Sequence, residues 1–162
     1  MNIFYLDSDP KVAAAMHCDK HCVKMILESA QLLSTAHHVI DVEPTIECYK
    51  STHKNHPSAI WCRQSGRNYE WLWIMLKYLC KEYTNRYGKV HKVEASGLLD
   101  RLSNRPINLE LGELTEPPQC MPDEYKCQDN SVQAYRNYYL GEKASFAKWN
   151  YSITPNWWKD AA

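Results

Sequence analysis

Between His17 and His38 the chain carries a narrow polar stripe on a segment that is otherwise apolar. At about 100° per residue, His17, His21, Lys24, Glu28, Gln31, Thr35 and His38 fall within roughly a third of one helical circumference. Around the rest stand Cys22, Val23, Met25, Ile26, Leu27, Ala30, Leu32, Leu33 and Ala36, with the small residues Ser29 and Ser34. An ordinary surface helix has the opposite proportions, a limited apolar stripe and a broad polar face. Such a helix predicts burial over most of its girth, so its polar stripe faces water, a partner or a cleft. Imidazoles, an amine, a carboxylate and an amide suit proton transfer and anion binding. A merely solvated face more often carries Glu, Lys, Arg and Asp, and that plainer reading stands beside the cleft.

Length and charge set the frame. The 162 residues predict one domain, residues 1–162, with a sizeable core. Lys plus Arg and Asp plus Glu number 19 each, so the formal net charge is zero. That balance lacks the basic excess of a protein that grips phosphate backbones along its whole surface. The opening Met1–Leu6 runs straight into Asp7, Ser8 and Asp9, which is no secretory signal. No apolar run approaches the ~20 residues of a membrane span. The odd count of seven cysteines therefore predicts reduced thiols in a cytoplasmic protein, the host cytoplasm if the source is viral. Six Trp and eleven Tyr against two Phe supply large apolar rings with polar handles, suited to clefts as well as cores.

The pattern along the chain predicts an all-α fold of four to five helices with one long Pro-containing loop and a docked C-terminal tail. Residues 1–6 read as a short extended segment or strand. Asp9 or Ser8 caps a first helix with Pro10 in its opening turn, and the helical pattern runs to Val39 with a break near Asp19. Residues 41–55 read as a loop. A second long helix is expected from Ser58 to Tyr87, stopped by Gly88, a third from His91 to Leu102, and a last from Ser131 to Trp149. Residues 105–129 hold Pro106, Pro117, Pro118 and Pro122 without periodicity, and Trp157 and Trp158 make the tail too aromatic to hang free.

Three constellations could carry chemistry. The first is the stripe. His17 and His21 have the i, i+4 spacing of metal-binding imidazoles, but the His-Glu-x-x-His pattern is missing and Lys24 would repel a cation, so no cofactor or metal is expected. Lys24 and Glu28 form a second i, i+4 pair: a surface ion pair on the plain reading, a general acid or base beside an anion anchor or nucleophilic amine on the functional one. The second is Asn55-His56-Pro57-Ser58, which opens the next helix where free N–H groups favour an anion. Trp61, Gln64, Arg67, Asn68 and Trp71 then share a side, as stacking on a nucleobase with edge recognition would need, although packed core aromatics give the same spacing. The third is Tyr135, Arg136, Tyr138 and Tyr139 through Lys143 and Lys148, a face able to close the same cleft. Five glycines and no Gly-rich phosphate motif exclude the familiar phosphate loops and nucleophile elbows.

Asp19-Lys20-His21-Cys22-Val23-Lys24-Met25-Ile26-Leu27-Glu28-Ser29-Ala30-Gln31-Leu32-Leu33, followed by Asn55-His56-Pro57 with Trp61, resembles two blocks of small proteins related to pyrimidine-dimer DNA glycosylases of the endonuclease V type. The resemblance covers about residues 19–90. The whole chain, including Thr115-Glu116-Pro117-Pro118, also resembles small uncharacterised proteins common in tailed bacteriophages. The resemblance implies an all-α fold and base excision through an N-terminal amine supported by a carboxylate, with Glu28 as the one carboxylate that matches.

The sequence thus leads to a phage-type protein that recognises a nucleobase or nucleotide, with DNA as a candidate partner, in a cleft between its first two long helices. N-glycosyl bond cleavage is the expected chemistry, with Glu28, Lys24 and His21 catalytic. Gln31, His56, Ser58, Trp61, Arg67, Asn68, Tyr135 and Arg136 are expected to bind the substrate. The alternative is a non-catalytic phage protein that binds a nucleotide signal or host factor to counter host defence.

Overall fold

The computed structural model describes residues 2–161. Among them lie eight α-helices and no strand: α1 (Pro10–Met16), α2 (Asp19–Ile40), α3 (Pro57–Cys62), α4 (Gly66–Tyr87), α5 (Lys92–Ala95), α6 (Leu98–Leu102), α7 (Ser131–Glu142) and α8 (Asn156–Lys159). A single 3₁₀ turn covers Asp123–Tyr125. The all-α expectation holds. The larger helix number comes from breaks inside the expected helices and from the short α8 in the tail.

Each break has a local cause. Between α1 and α2 the extended residues His17 and Cys18 interrupt the helix, one to two positions before Asp19. The expected Ser58–Tyr87 helix divides because Ser65 turns extended and its hydroxyl accepts from the Asn68 N–H, making it a second N-cap inside the segment. The freed N–H groups of Gly66 and Arg67 donate to the carbonyls of Glu110 and Leu111 in the long loop. Gly66 is required there, since a Cβ would stand 2.9 Å from the Leu111 Cα. Gly97, at φ +84°, splits the expected third helix. The last long helix stops at Glu142, seven residues before Trp149.

Helix α4 packs against both α1 and α2. Met25, Ile26, Leu32 and Leu33 share one core with Leu72, Met75, Leu76 and Leu79. Each of these side chains contributes ~1.5–3 kcal/mol by leaving water. Ile3, Phe4, Tyr5 and Leu6 are buried but form no strand, and the Leu6 N–H turns back to the Phe4 carbonyl at 2.9 Å. Side chains hold this run as well, Arg136 Nε donating to the Leu6 carbonyl at 2.9 Å. The tail docks as expected: Pro155 is buried, the Trp149 and Trp158 rings lie 5.0 Å apart, and the Trp149 indole donates to the Met16 carbonyl.

Candidate functional site

Positions 21, 24, 25 and 28 of α2 project from one side of the helix. With Asn2, Phe4, Tyr138 and Lys143 they line a polar cavity of about 160 Å³. All three residues expected to be catalytic, His21, Lys24 and Glu28, are therefore neighbours. The buried N-terminal run supplies Asn2 and Phe4, and α7 with the turn after it supplies Tyr138 and Lys143.

His21 is 4% exposed and stacks on Phe4 with ring centroids 4.3 Å apart. Its Nδ1 lies 2.6 Å from the Tyr139 hydroxyl. Burial, then the neighbouring His17 and the ammoniums of Lys143, Lys24 and Lys20, push its pKa down to about 3, so the ring is neutral at physiological pH. The same hydroxyl donates to the Cys18 thiol at 3.8 Å, so one phenol holds both groups. His21 is thereby a fixed hydrogen-bonding group rather than a cationic acid.

The rim of the cavity is cationic. Lys143 Nζ stands 4.5 Å from the Tyr138 ring centroid and 3.4 Å from its hydroxyl, and Lys20 Nζ stands 4.4 Å from the Phe146 centroid. Lys24 is exposed and Glu28 half-buried. Among the described residues, none of these three ammoniums is ion-paired with a carboxylate.

The rest of the stripe serves structure. His17 leaves it altogether: it caps the end of α1, is fully buried, and its Nδ1 donates to the Ala13 carbonyl at 2.7 Å. Thr35 and Ser34 accept from the N–H groups of Thr52 and Tyr49, and His38 Nε2 lies 2.9 Å from the Tyr49 carbonyl, so this end of α2 holds the 41–55 loop. Gln31 is half-buried between the two ends.

The second constellation folds inward, away from the expected cleft. Trp61 is 2% exposed, its indole N–H donates to the Thr115 carbonyl, and its ring meets Trp71 edge-on, so it is not available to stack on a base. Asn68 is fully buried and grips the Trp61 carbonyl and both the N–H and hydroxyl of Thr115. These contacts bind the long loop to the α3–α4 junction. His56 caps α3, its Nδ1 accepting from the Ser58 N–H, and Ser58 is buried with its hydroxyl 3.7 Å from the Cys120 thiol. Arg67 is exposed at the start of α4. A groove of about 310 Å³ lies here, walled by Pro57, Ile60, Trp61, Gln64, Glu116 and Pro118, without Glu28.

The third face divides. Tyr138 and Lys143 do reach the Glu28 cavity, whereas Tyr135 and Arg136 are spent in the fold. The Tyr135 hydroxyl lies 2.7 Å from the Pro118 carbonyl and 2.9 Å from Asn2 Oδ1, and Arg136 pairs with Asp7. Asn2 and Phe4 were invisible as site residues in the sequence, because a short apolar run carries no sign of which helix it will lie on.

Among the described residues, no three of His, Cys, Asp and Glu are placed to share a metal ion. The seven cysteines are free thiols, and no described helix is long and apolar enough to cross a membrane. The N-terminal amine implied by the resemblance belongs to residue 1, outside the described residues. No protein-family model matches the chain, and no curated protein or solved structure matches it either.

Proposed function

We propose that the chain is a nucleobase-recognising protein that cleaves or processes an N-glycosyl bond, with the α2 cavity as its reaction site. The observation that carries this reading is the convergence of Glu28, Lys24 and His21 on one small polar cavity whose other walls include Phe4 and Tyr138. At about 160 Å³ the cavity falls below the ~300–1,000 Å³ of pockets that enclose a whole drug-sized ligand. It suits a single ring or polar group, with the remainder of the ligand on the lysine rim.

In this reading water adds its oxygen to the anomeric carbon as the C–N bond breaks, and the bonding pair leaves with the base. Glu28 takes the proton from water and returns it to the departing base nitrogen. His21, neutral and locked by Tyr139, offers a hydrogen bond without changing its charge. Lys24 holds an anionic group at the mouth, and the Asn2 side chain stands in the same lining. A phage origin and DNA as the carrier of the base belong to the same proposal and rest on the resemblance, and a cytoplasmic setting belongs to it on the cysteine pattern.

The test is release of free base from nucleotides and oligonucleotides, followed by chromatography, for the parent protein and Glu28→Gln. Loss of turnover by ~10²-fold or more with ligand binding retained supports the assignment. Undiminished turnover in Glu28→Gln removes Glu28 from the chemistry. Binding of nucleotide without any base release by the parent protein favours the non-catalytic binder.

A further inference from the structure

Three lysines that do not line the Glu28 cavity converge on one aromatic ring. Around Tyr78 of α4, the ammoniums of Lys81, Lys11 and Lys77 stand 5.1, 5.2 and 5.7 Å from the ring centroid. Lys11 comes from α1, so packing of α1 on α4 assembles the group. Among the described residues none of the three is ion-paired with a carboxylate. Beside them lies a cleft of about 240 Å³ lined by Lys11, Ala15, Tyr78, Lys81, Glu82 and Asn85. Its one carboxylate, Glu82, is committed to Arg86 at 3.0 Å.

Three cations gathered within on the order of one Debye length repel one another, and Lys77 with Lys81 is a like-charge i, i+4 pair that weakens a helix. The quadrupole of the Tyr78 ring offsets part of this repulsion. In a chain of zero net charge, such a concentration is a local electropositive focus rather than a consequence of overall basicity.

We infer that the α1–α4 cleft is an oxyanion site that takes a phosphate group, seated between Lys11 and Lys81 with the Tyr78 ring as a wall and the Asn85 amide as a neutral donor. A phosphate offers several acceptor oxygens, enough to engage two or three ammoniums at once, which a single carboxylate matches less well. The phosphate belongs either to a free phosphorylated small molecule or to a nucleic-acid strand, and the chemistry at the lysines is the same. This site does not depend on the reading of the Glu28 cavity.

The experiment is titration of the full chain with inorganic pyrophosphate, read at the Asn85 side-chain amide by two-dimensional NMR. The same titration is run on Lys11→Gln/Lys81→Gln and on Glu28→Gln. Saturable binding at Asn85 is expected, weakened by about tenfold or more in the double variant and unchanged in Glu28→Gln. A parallel titration with a short single-stranded oligonucleotide identifies the source. Tighter binding than pyrophosphate, with a salt slope that falls by ~0.7 for each lysine removed, marks a strand. Saturation by pyrophosphate alone marks a free phosphorylated compound. A shift that never saturates, or a folded double variant that binds as tightly as the parent, overturns the site. If circular dichroism shows the double variant unfolded, Lys81→Gln alone decides in the same way.

Discussion

His21 shows how a single side chain can look reactive and yet be held in one charge state. Its imidazole is stacked on Phe4, bonded to Tyr139 and surrounded by three ammoniums, so protonation would put a cation among cations in a site that water barely reaches. Tyr139 is fully buried, and its hydroxyl has two neighbours, His21 Nδ1 at 2.6 Å and the Cys18 thiol at 3.8 Å. Tyr139→Phe removes the shorter contact and leaves a buried imidazole nitrogen without its partner. We expect a loss of ~1–3 kcal/mol in urea unfolding. The ring is also released to turn, which would blunt recognition at the cavity. Unchanged stability would show that the Tyr139–His21 contact contributes nothing net.

At the scale of elements, the corner between α1 and α2 is closed by Arg86, whose side chain is 1% exposed. It donates to the carbonyls of His17 and Ala15, which the end of α1 leaves open, and pairs with Asp19 and Glu82. A planar guanidinium satisfies all four at once, which no lysine could do. Arg86→Met keeps much of the volume but strands two carbonyls and takes the cation from the Asp19 and Glu82 carboxylates. We expect a destabilisation of roughly 3 kcal/mol, or ~6–12 °C in melting temperature by calorimetry. Since this corner sets where α2 begins, and His21 lies in its first turn, the same variant should weaken ligand binding at the cavity. A melting temperature within a degree or so of the parent would show that the corner is held by packing alone. The junction between α3 and α4 works by the same economy: Ser65, Gly66 and Asn68 bond the long loop, and Trp61 is drawn inward with it.

For the molecule as a whole, the depressed histidines make stability depend on pH. Burial holds His17 at about 4 and His21 at about 3, against the ordinary 6.5 they regain on unfolding. Between these values the unfolded chain binds more protons than the folded one, so stability falls as pH drops below 6.5 and is fully present above it. Near pH 5 the two sites together cost as much as ~2.7 kcal/mol per pH unit. Urea unfolding at pH 7 and pH 5 measures this, and a flat profile would show the histidines to be solvated. The sequence by itself determined the helical class, the burial of most of α2, the Asp9 cap of α1, the Gly88 stop of α4 and the grouping of Lys24 and Glu28, because 3.6-residue periodicity and capping chemistry are local. It also anticipated the docked tail, from the density of aromatics. Tertiary structure decided which polar residues face a cavity and which are consumed as bonds. Lys24 and Glu28 look out because Phe4, Tyr138 and Lys143 stand across from them, while Trp61, Asn68, Tyr135 and Arg136 turned inward because backbone groups of the long loop and the N-terminal run needed partners once water was gone. A buried carbonyl must find a donor, and which side chain supplies it depends on contacts far apart in the chain, to which periodicity is blind.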